Sequence, residues 1–222
     1  MCGRFSFSPL SKVIEDRFDV KVDSNYKPRF NCAPSQNLAV ISNLDPVSLS
    51  YFRWGLIPFW ARDPKIGYRM INAKAETITE KPSYKNAFRR KRCLVLSDGF
   101  FEWKKVGEKE KIPYRILLKE ESLFSMAGIW DSWKNEEGEF INSFSIITTG
   151  PNDLMKNIHD RMPVILHPAD ESKWLGDTAP DVLLEFLRPF PAEKMTAYPV
   201  SKLVNSPVND RPEILEPAEY NL

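Results

Sequence analysis

An α+β fold rich in strands is what this sequence predicts, on three observations. Short apolar runs, one of them read as alternating, recur from Leu38 to Val200. Turns bearing Gly, Asn or Pro separate them, and the helical patterns between them are short. The 222 residues contain no linker-like stretch, so a single domain over residues 1–222 with one sizeable core is expected. Hydrophobic residues make up 42% and charged residues 27%, and no apolar run approaches the ~18 residues of a membrane span, so a soluble protein with no membrane partner is expected. The start has neither a signal-peptide core nor a transit-peptide composition, which points to an intracellular place, cytoplasm or nucleoid.

Taken in order, the chain opens on Met1-Cys2-Gly3-Arg4. Once Met1 is removed, Cys2 carries an α-amine and a thiol on adjacent carbons. This 1,2-aminothiol can act as a thiolate nucleophile, or condense with an aldehyde and close to a five-membered ring. With reference pKa values near ~7.7 to 8.0 and ~8.5, both groups have a reactive fraction at neutral pH. Ser8-Pro9, followed by Leu10, Val13, Ile14 and Phe18, predicts a helix with Ser8 as its N-cap. Arg29 to Ser35 reads as a proline-marked loop, Leu38 to Ile41 and Ser48 to Trp54 as strands, and Trp54 to Trp60 as an irregular loop with an aromatic face. Ile71 to Thr77 has no clean period. A helix is expected over Pro82 to Arg90, then a buried strand at Cys93 to Leu96.

Ser97-Asp98-Gly99-Phe100-Phe101-Glu102-Trp103 sets a carboxylate among aromatic rings, where desolvation favours the protonated form and makes Glu102 a candidate proton donor. Ile112 to Leu118, Leu123 to Trp130 and Phe140 to Thr149 read as an antiparallel meander. A short helix near Asn152 to Met155 delivers His159, set beside Asp160 and Arg161, a candidate general acid or base. Helices over Glu171 to Leu175 and Asp181 to Leu187, a strand from Met195 to Val200 and an irregular proline-rich tail from Ser206 complete the chain.

Composition also narrows the chemistry. Cys2, Cys32 and Cys93 lie far apart, which argues against a disulfide framework or structural zinc. The two histidines, His159 and His167, offer no metal-ligand cluster, so neither metal nor cofactor is expected. Residues 51–92 hold eleven Lys/Arg against Asp63, Glu76 and Glu80. That +8 within a net +1 suggests a surface able to follow a phosphate backbone, while Arg89-Arg90-Lys91-Arg92 reads equally as a solvated helix end.

Met1-Cys2-Gly3-Arg4-Phe5, Asn31-Cys32-Ala33-Pro34, Trp54-Gly55-Leu56-Ile57-Pro58, Asn72-Ala73-Lys74-Ala75-Glu76-Thr77, Gly99-Phe100-Phe101-Glu102-Trp103 and Ile158-His159-Asp160-Arg161-Met162-Pro163 together resemble the SRAP family, the abasic-site processing proteins. The ordered set spans nearly the whole chain. The resemblance implies an α+β domain with a curved, largely antiparallel, nearly closed sheet flanked by short helices. It implies covalent capture of abasic sites in single-stranded DNA through a thiazolidine on Cys2, within the DNA damage and SOS response. The activity would be lyase-like imine chemistry, with peptidase-type self-processing and crosslink reversal beside it.

By the same resemblance Asn72 positions Cys2, Glu102 handles protons and His159 assists ring opening. DNA contacts fall on Arg4, Pro34, Phe59, Trp60, Lys74, Thr148 and Arg161, and the protein is expected to be a monomer. Phe59 and Lys74 depart from the Trp and Arg frequent in the family, and lysine lacks the bidentate fork. Two other classes share the opening residues or the charge: an N-terminal cysteine amidotransferase acting on glutamine, and a non-catalytic module for modified nucleic acid.

Overall fold

The computed structural model describes residues 2–108, 110–120 and 123–220. Strand β1 (Phe5–Phe7) leads into helix α1 (Ser11–Phe18), followed by β2 (Arg29–Cys32), β3 (Asn37–Ser42), β4 (Asp45–Trp54) and β5 (Asn72–Lys74). Helix α2 (Pro82–Arg90) precedes β6 (Arg92–Ser97), β7 (Gly99–Val106), β8 (Glu110–Leu118), β9 (Phe124–Lys134), β10 (Phe140–Thr149) and β11 (Met162–Pro163). Helices α3 (Pro168–Leu175) and α4 (Pro180–Glu185), strand β12 (Met195–Pro199) and short 3-10 turns end the chain.

The strands form two sheets. In the larger, β4, β3, β6 and β9 pair in succession, β9 pairs β10, and β10 returns to β4, so these strands close into a barrel. All its seams are antiparallel except β10 with β4, where Ser143 faces Arg53 and Phe144 faces Trp54. Closure leaves no free edge in that ring. Strand β6 is buried at every position, because one face lines the barrel and α2, α3 and the second sheet cover the other. The second sheet is open, in the order β12-β8-β7-β1-β2. The expected curved, closing sheet is therefore present, with an open sheet packed beside it.

Several local expectations change for identifiable reasons. Helix α1 is not capped by Ser8: its amide and Oγ go to Asp98 Oδ2, at 2.8 and 2.6 Å, and Leu10 occupies the N-cap position. Arg29 to Cys32 is a strand, paired with β1. The meander is broken, because β8 pairs β7 and β12 while β9 belongs to the barrel. The unpatterned Asn72 to Lys74 forms β5, parallel to β10, with Ala73 alone turned into the core.

The run at the end of α2 is only partly solvated. Arg92 is buried and donates to the carbonyls of Phe88, Arg89, Trp174 and Gly176, joining the carboxyl ends of α2 and α3. Lys91 pairs with Asp131 at 2.7 Å. After β4 the chain bends at Gly55, whose φ of 123° and whose approach to the Gly67 carbonyl leave no room for a side chain. Among the described residues no helix is long and apolar enough to cross a membrane.

Candidate active site at the amino-terminal strand

The site forms where the open sheet meets the barrel. Strand β1 lies between β2 and β7, and the Phe101 amide donates to the Arg4 carbonyl at 2.9 Å, so pairing continues one residue before β1. This fixes the approach of Cys2, which is fully buried with its Sγ 3.9 Å from the Arg4 carbonyl. Burial raises the Cys2 thiol pKa well above its ordinary range, and the nearby Glu102 carboxylate adds to the rise. The sulfur is a protonated thiol at neutral pH. Met1, whose removal the sequence reading requires, lies outside the described residues.

Asn72, at the start of β5 on the barrel side, donates from Nδ2 to the Cys2 carbonyl at 2.8 Å. Its own carbonyl accepts from the Tyr84 hydroxyl at 3.2 Å. Glu102 lies on β7, and strand alternation puts it on the face of Phe100, in the main core, while Phe101 and Trp103 face a smaller cluster. It is 2% exposed, and burial pushes its carboxyl from 4.5 up to about 7. His159 follows the turn at Met155–Asn157, with Nε2 at 3.8 Å from Glu102 Oε2. That distance exceeds a hydrogen bond and is of the kind that tightens when substrate enters.

Burial holds the His159 pKa below its usual 6.5, although Asp160 pulls the other way, so the ring is neutral at physiological pH. Two groups compete for its Nδ1: the Arg161 amide at 3.1 Å and Asp160 Oδ1 at 2.8 Å. One nitrogen cannot accept from the first and donate to the second. The Asp160 side chain is 87% exposed and free to turn into water, whereas the amide is fixed, so we assign the proton to Nε2, facing Glu102.

The residues expected to meet DNA fall into three groups. Lys74, Thr148 and Arg161 cluster, with Lys74 opposite Thr148 in the β5–β10 ladder. Arg161 holds Glu76 through two bonds of 2.5 and 2.9 Å and the Thr148 carbonyl at 2.6 Å, and Thr148 itself is 1% exposed. The Arg161 bonds depress the Glu76 pKa. Phe59 and Trp60 stand out at 60% and 49% exposed, and Trp60 edges a cavity of about 470 Å³ with Arg62, Lys65 and Arg69. Arg4 and Pro34 are half-buried, and Arg4 donates to Asn31 Oδ1 and the Val204 carbonyl, both at 2.7 Å.

Two features escape sequence reasoning. Asn31 ties Arg4 to the carbonyls of Val204, Ser206 and Asn209, clamping the carboxyl-terminal segment beside the site. Its place in Asn31-Cys32-Ala33-Pro34 is the signal that could have found it. The second is a cleft of about 740 Å³ reaching His159 and walled by Trp103 and the lysines 104, 105, 111 and 156. Lys104 and Lys105 directly follow Glu102-Trp103, which is the available signal. Among the described residues no three His, Cys, Asp or Glu converge as a metal site.

The family model for SOS response associated peptidase (SRAP) matches residues 1–207. The chain belongs to the SRAP family. It is 49% identical to the abasic site processing protein YoqW of Bacillus subtilis strain 168, over 97% of this chain and 99% of that one. It is 35% identical to the abasic site processing protein HMCES of Xenopus tropicalis, over 86% of this chain and 66% of that protein. Among solved structures, the crystal structure of a protein from Bacteroides thetaiotaomicron matches at TM-score 0.90 and 36% identity, covering 98% of this chain and all of that one.

Proposed function

We propose that this SRAP protein processes abasic sites in single-stranded DNA by bonding to them through Cys2. The names of its relatives bring the substrate class. The observation that carries the chemistry is the meeting of an amide-held cysteine with a buried carboxyl that titrates near neutral pH and a neutral imidazole. Met1 first leaves by hydrolysis of its peptide bond, a peptidase-type step, to free the α-amine of Cys2.

An abasic deoxyribose must open before its C1′ aldehyde can react. The proton of the anomeric hydroxyl passes to O4′ through water as the C1′–O4′ bond breaks, and the Nε2–H of His159 holds O4′ by a hydrogen bond while it leaves. The Cys2 amine then adds to C1′, the protonated Glu102 gives its proton to the departing hydroxyl, and water leaves to form an imine. The Cys2 sulfur adds to the same carbon of this protonated imine, the nitrogen takes up the electron pair of the C=N bond, and the thiol proton returns to the Glu102 carboxylate. The product is a thiazolidine, with one water lost overall, and reversal returns that water. Burial keeps the thiol protonated beforehand, so the sulfur becomes nucleophilic only when a cationic imine stands beside it. Asn72 prevents the amine and thiol from rotating away from Glu102.

Phe59 and Trp60 offer faces on which bases stack, and Lys74 with the Arg62, Lys65 and Arg69 cavity attracts phosphates. Arg4, Pro34, Thr148 and Arg161 shape the wall, and Arg161 reaches a phosphate only by exchanging Glu76 for it. The protein acts in this reading as a single intracellular domain and a monomer. Protein freed of Met1 should give a slower band on a denaturing gel with an abasic single-stranded oligonucleotide, and Cys2→Ala should give none. No such band from the parent would overturn the reading.

A further inference from the structure

The lysines beside His159 take no part in the proton transfers above, and their placement is unfavourable on its own. Lys105 and Lys111 stand directly opposite each other on β7 and β8, and like charges so placed destabilise a hairpin. Lys104 and Lys156 bring two more cations to the same cleft, where Asp160 is the one acid among the described lining residues. Lys156 meets Asp153 at 2.7 Å, but both side chains are largely exposed and the pair is weak. Past Trp103 and Lys111 the cleft continues into a second of about 750 Å³ that reaches Asn205 and the pair of Lys202 with Glu110, 2.7 Å apart. The Trp103 indole N–H donates to Asn205 Oδ1 at 2.8 Å, which sets its ring in one orientation. None of these residues lines the Trp60 cavity.

Concentrated cations, a fixed aromatic ring and continuity with His159 match a flexible polyanion with stackable rings. We propose that the groove along the β7–β8 hairpin carries the phosphate backbone of single-stranded DNA on one side of the lesion, with Lys104, Lys105, Lys111 and Lys156 on phosphates and Trp103 under a base. This rests on the abasic-DNA reading of the site and names a surface by which the strand leaves it.

The test uses undamaged single-stranded DNA, so its result does not depend on the covalent step. Binding of a fluorescent oligonucleotide is followed by anisotropy against salt for the parent and for Lys104→Ala/Lys105→Ala/Lys111→Ala. Three lost phosphate contacts should remove about two units from the slope of log affinity against log salt, leaving the proteins about a hundredfold apart at ~0.1 M and converging near ~1 M. Equal slopes would overturn the proposal. The abasic adduct of the parent is scored beside it: adduct formation with equal slopes removes this groove alone, whereas loss of adduct with a reduced slope removes the chemistry and keeps the groove. As a second readout, Lys105→Ala should leave the thermal midpoint unchanged or raise it, since a like-charge pair is relieved. A lower midpoint together with weaker binding would mean the lysine serves the hairpin.

Discussion

The barrel and the open sheet hold their strands by different means. The barrel is a closed ring with apolar residues buried on both faces of its strands, Leu94 and Ile129 on one and Val95, Phe144 and Ile146 on the other, and its cohesion is non-directional. The open sheet positions its key strand with directional bonds. Ser6 and Ser8 donate to the carboxylate of Asp98, Arg115 pairs with that carboxylate at 3.3 Å, and Arg4, Asn31 and Asp210 lace β1, β2 and the carboxyl-terminal segment together. The difference divides the labour. Burial makes a stiff platform that presents Asn72 and His159, while hydrogen bonds, which specify position, deliver Cys2 and Glu102 against it.

The strongest way to break this comparison is to damage the ring. Phe144 is fully buried and stacks on Trp54 at 6.2 Å across the parallel seam. Phe144→Ala should cost about 3–5 kcal/mol in denaturant unfolding through the cavity it leaves. The fraction that remains folded should still form the DNA adduct, so a loss of chemistry in folded protein would show that ring and site are not separable.

Glu102→Gln acts on the other side of the comparison. It should slow single-turnover adduct formation about a hundredfold, the low end of general acid–base contributions. Its stability effect has a definite sign. The folded pKa of about 7 lies above the unfolded value near 4.5, so the folded state keeps a proton the unfolded state has lost. The parent is therefore most stable with respect to this group below pH 4.5 and loses stability as pH rises to about 7, a loss on the order of 3 kcal/mol. Glu102→Gln should lack that slope, checked by denaturant unfolding at both pH extremes.

Legibility follows the same division. Helix α2 is readable because Pro82 stands at its first turn and its apolar positions repeat at helical spacing, and β9 and β10 are readable from their strand pattern. Closure is not, because it depends on the β10–β4 pair between segments distant in sequence, and local pattern carries no partner. Strand β5 is hidden because two of its three positions, Asn72 and Lys74, are polar and lie at the site. The aminothiol that Cys2 would carry is legible from residue order, and Glu102 as a carboxyl with a raised pKa from its apolar run, although alternation turns Phe101 and Trp103 to the other face and it is burial on the Phe100 side that raises it. The lysine groove is not legible, since only folding brings Lys156 beside the β7–β8 hairpin.

The smallest expected effect sharpens the comparison most. In Asp98→Asn the side chain keeps its shape, but one accepting oxygen becomes a donor, facing the Ser8 amide and hydroxyl it formerly bound, or else Ser6 and Arg115. The global cost should be about 1–2 kcal/mol, because Phe5 and Phe7 still pack in the core. Adduct formation should fall severalfold at subsaturating DNA, and the Ser6 and Ser8 amides should exchange hydrogen faster while barrel amides keep their protection relative to global stability. That selective loosening is the signature of a strand located by hydrogen bonds. Uniform acceleration across both sheets would instead mean that apolar packing places β1, and that the open sheet and the barrel are held in the same way.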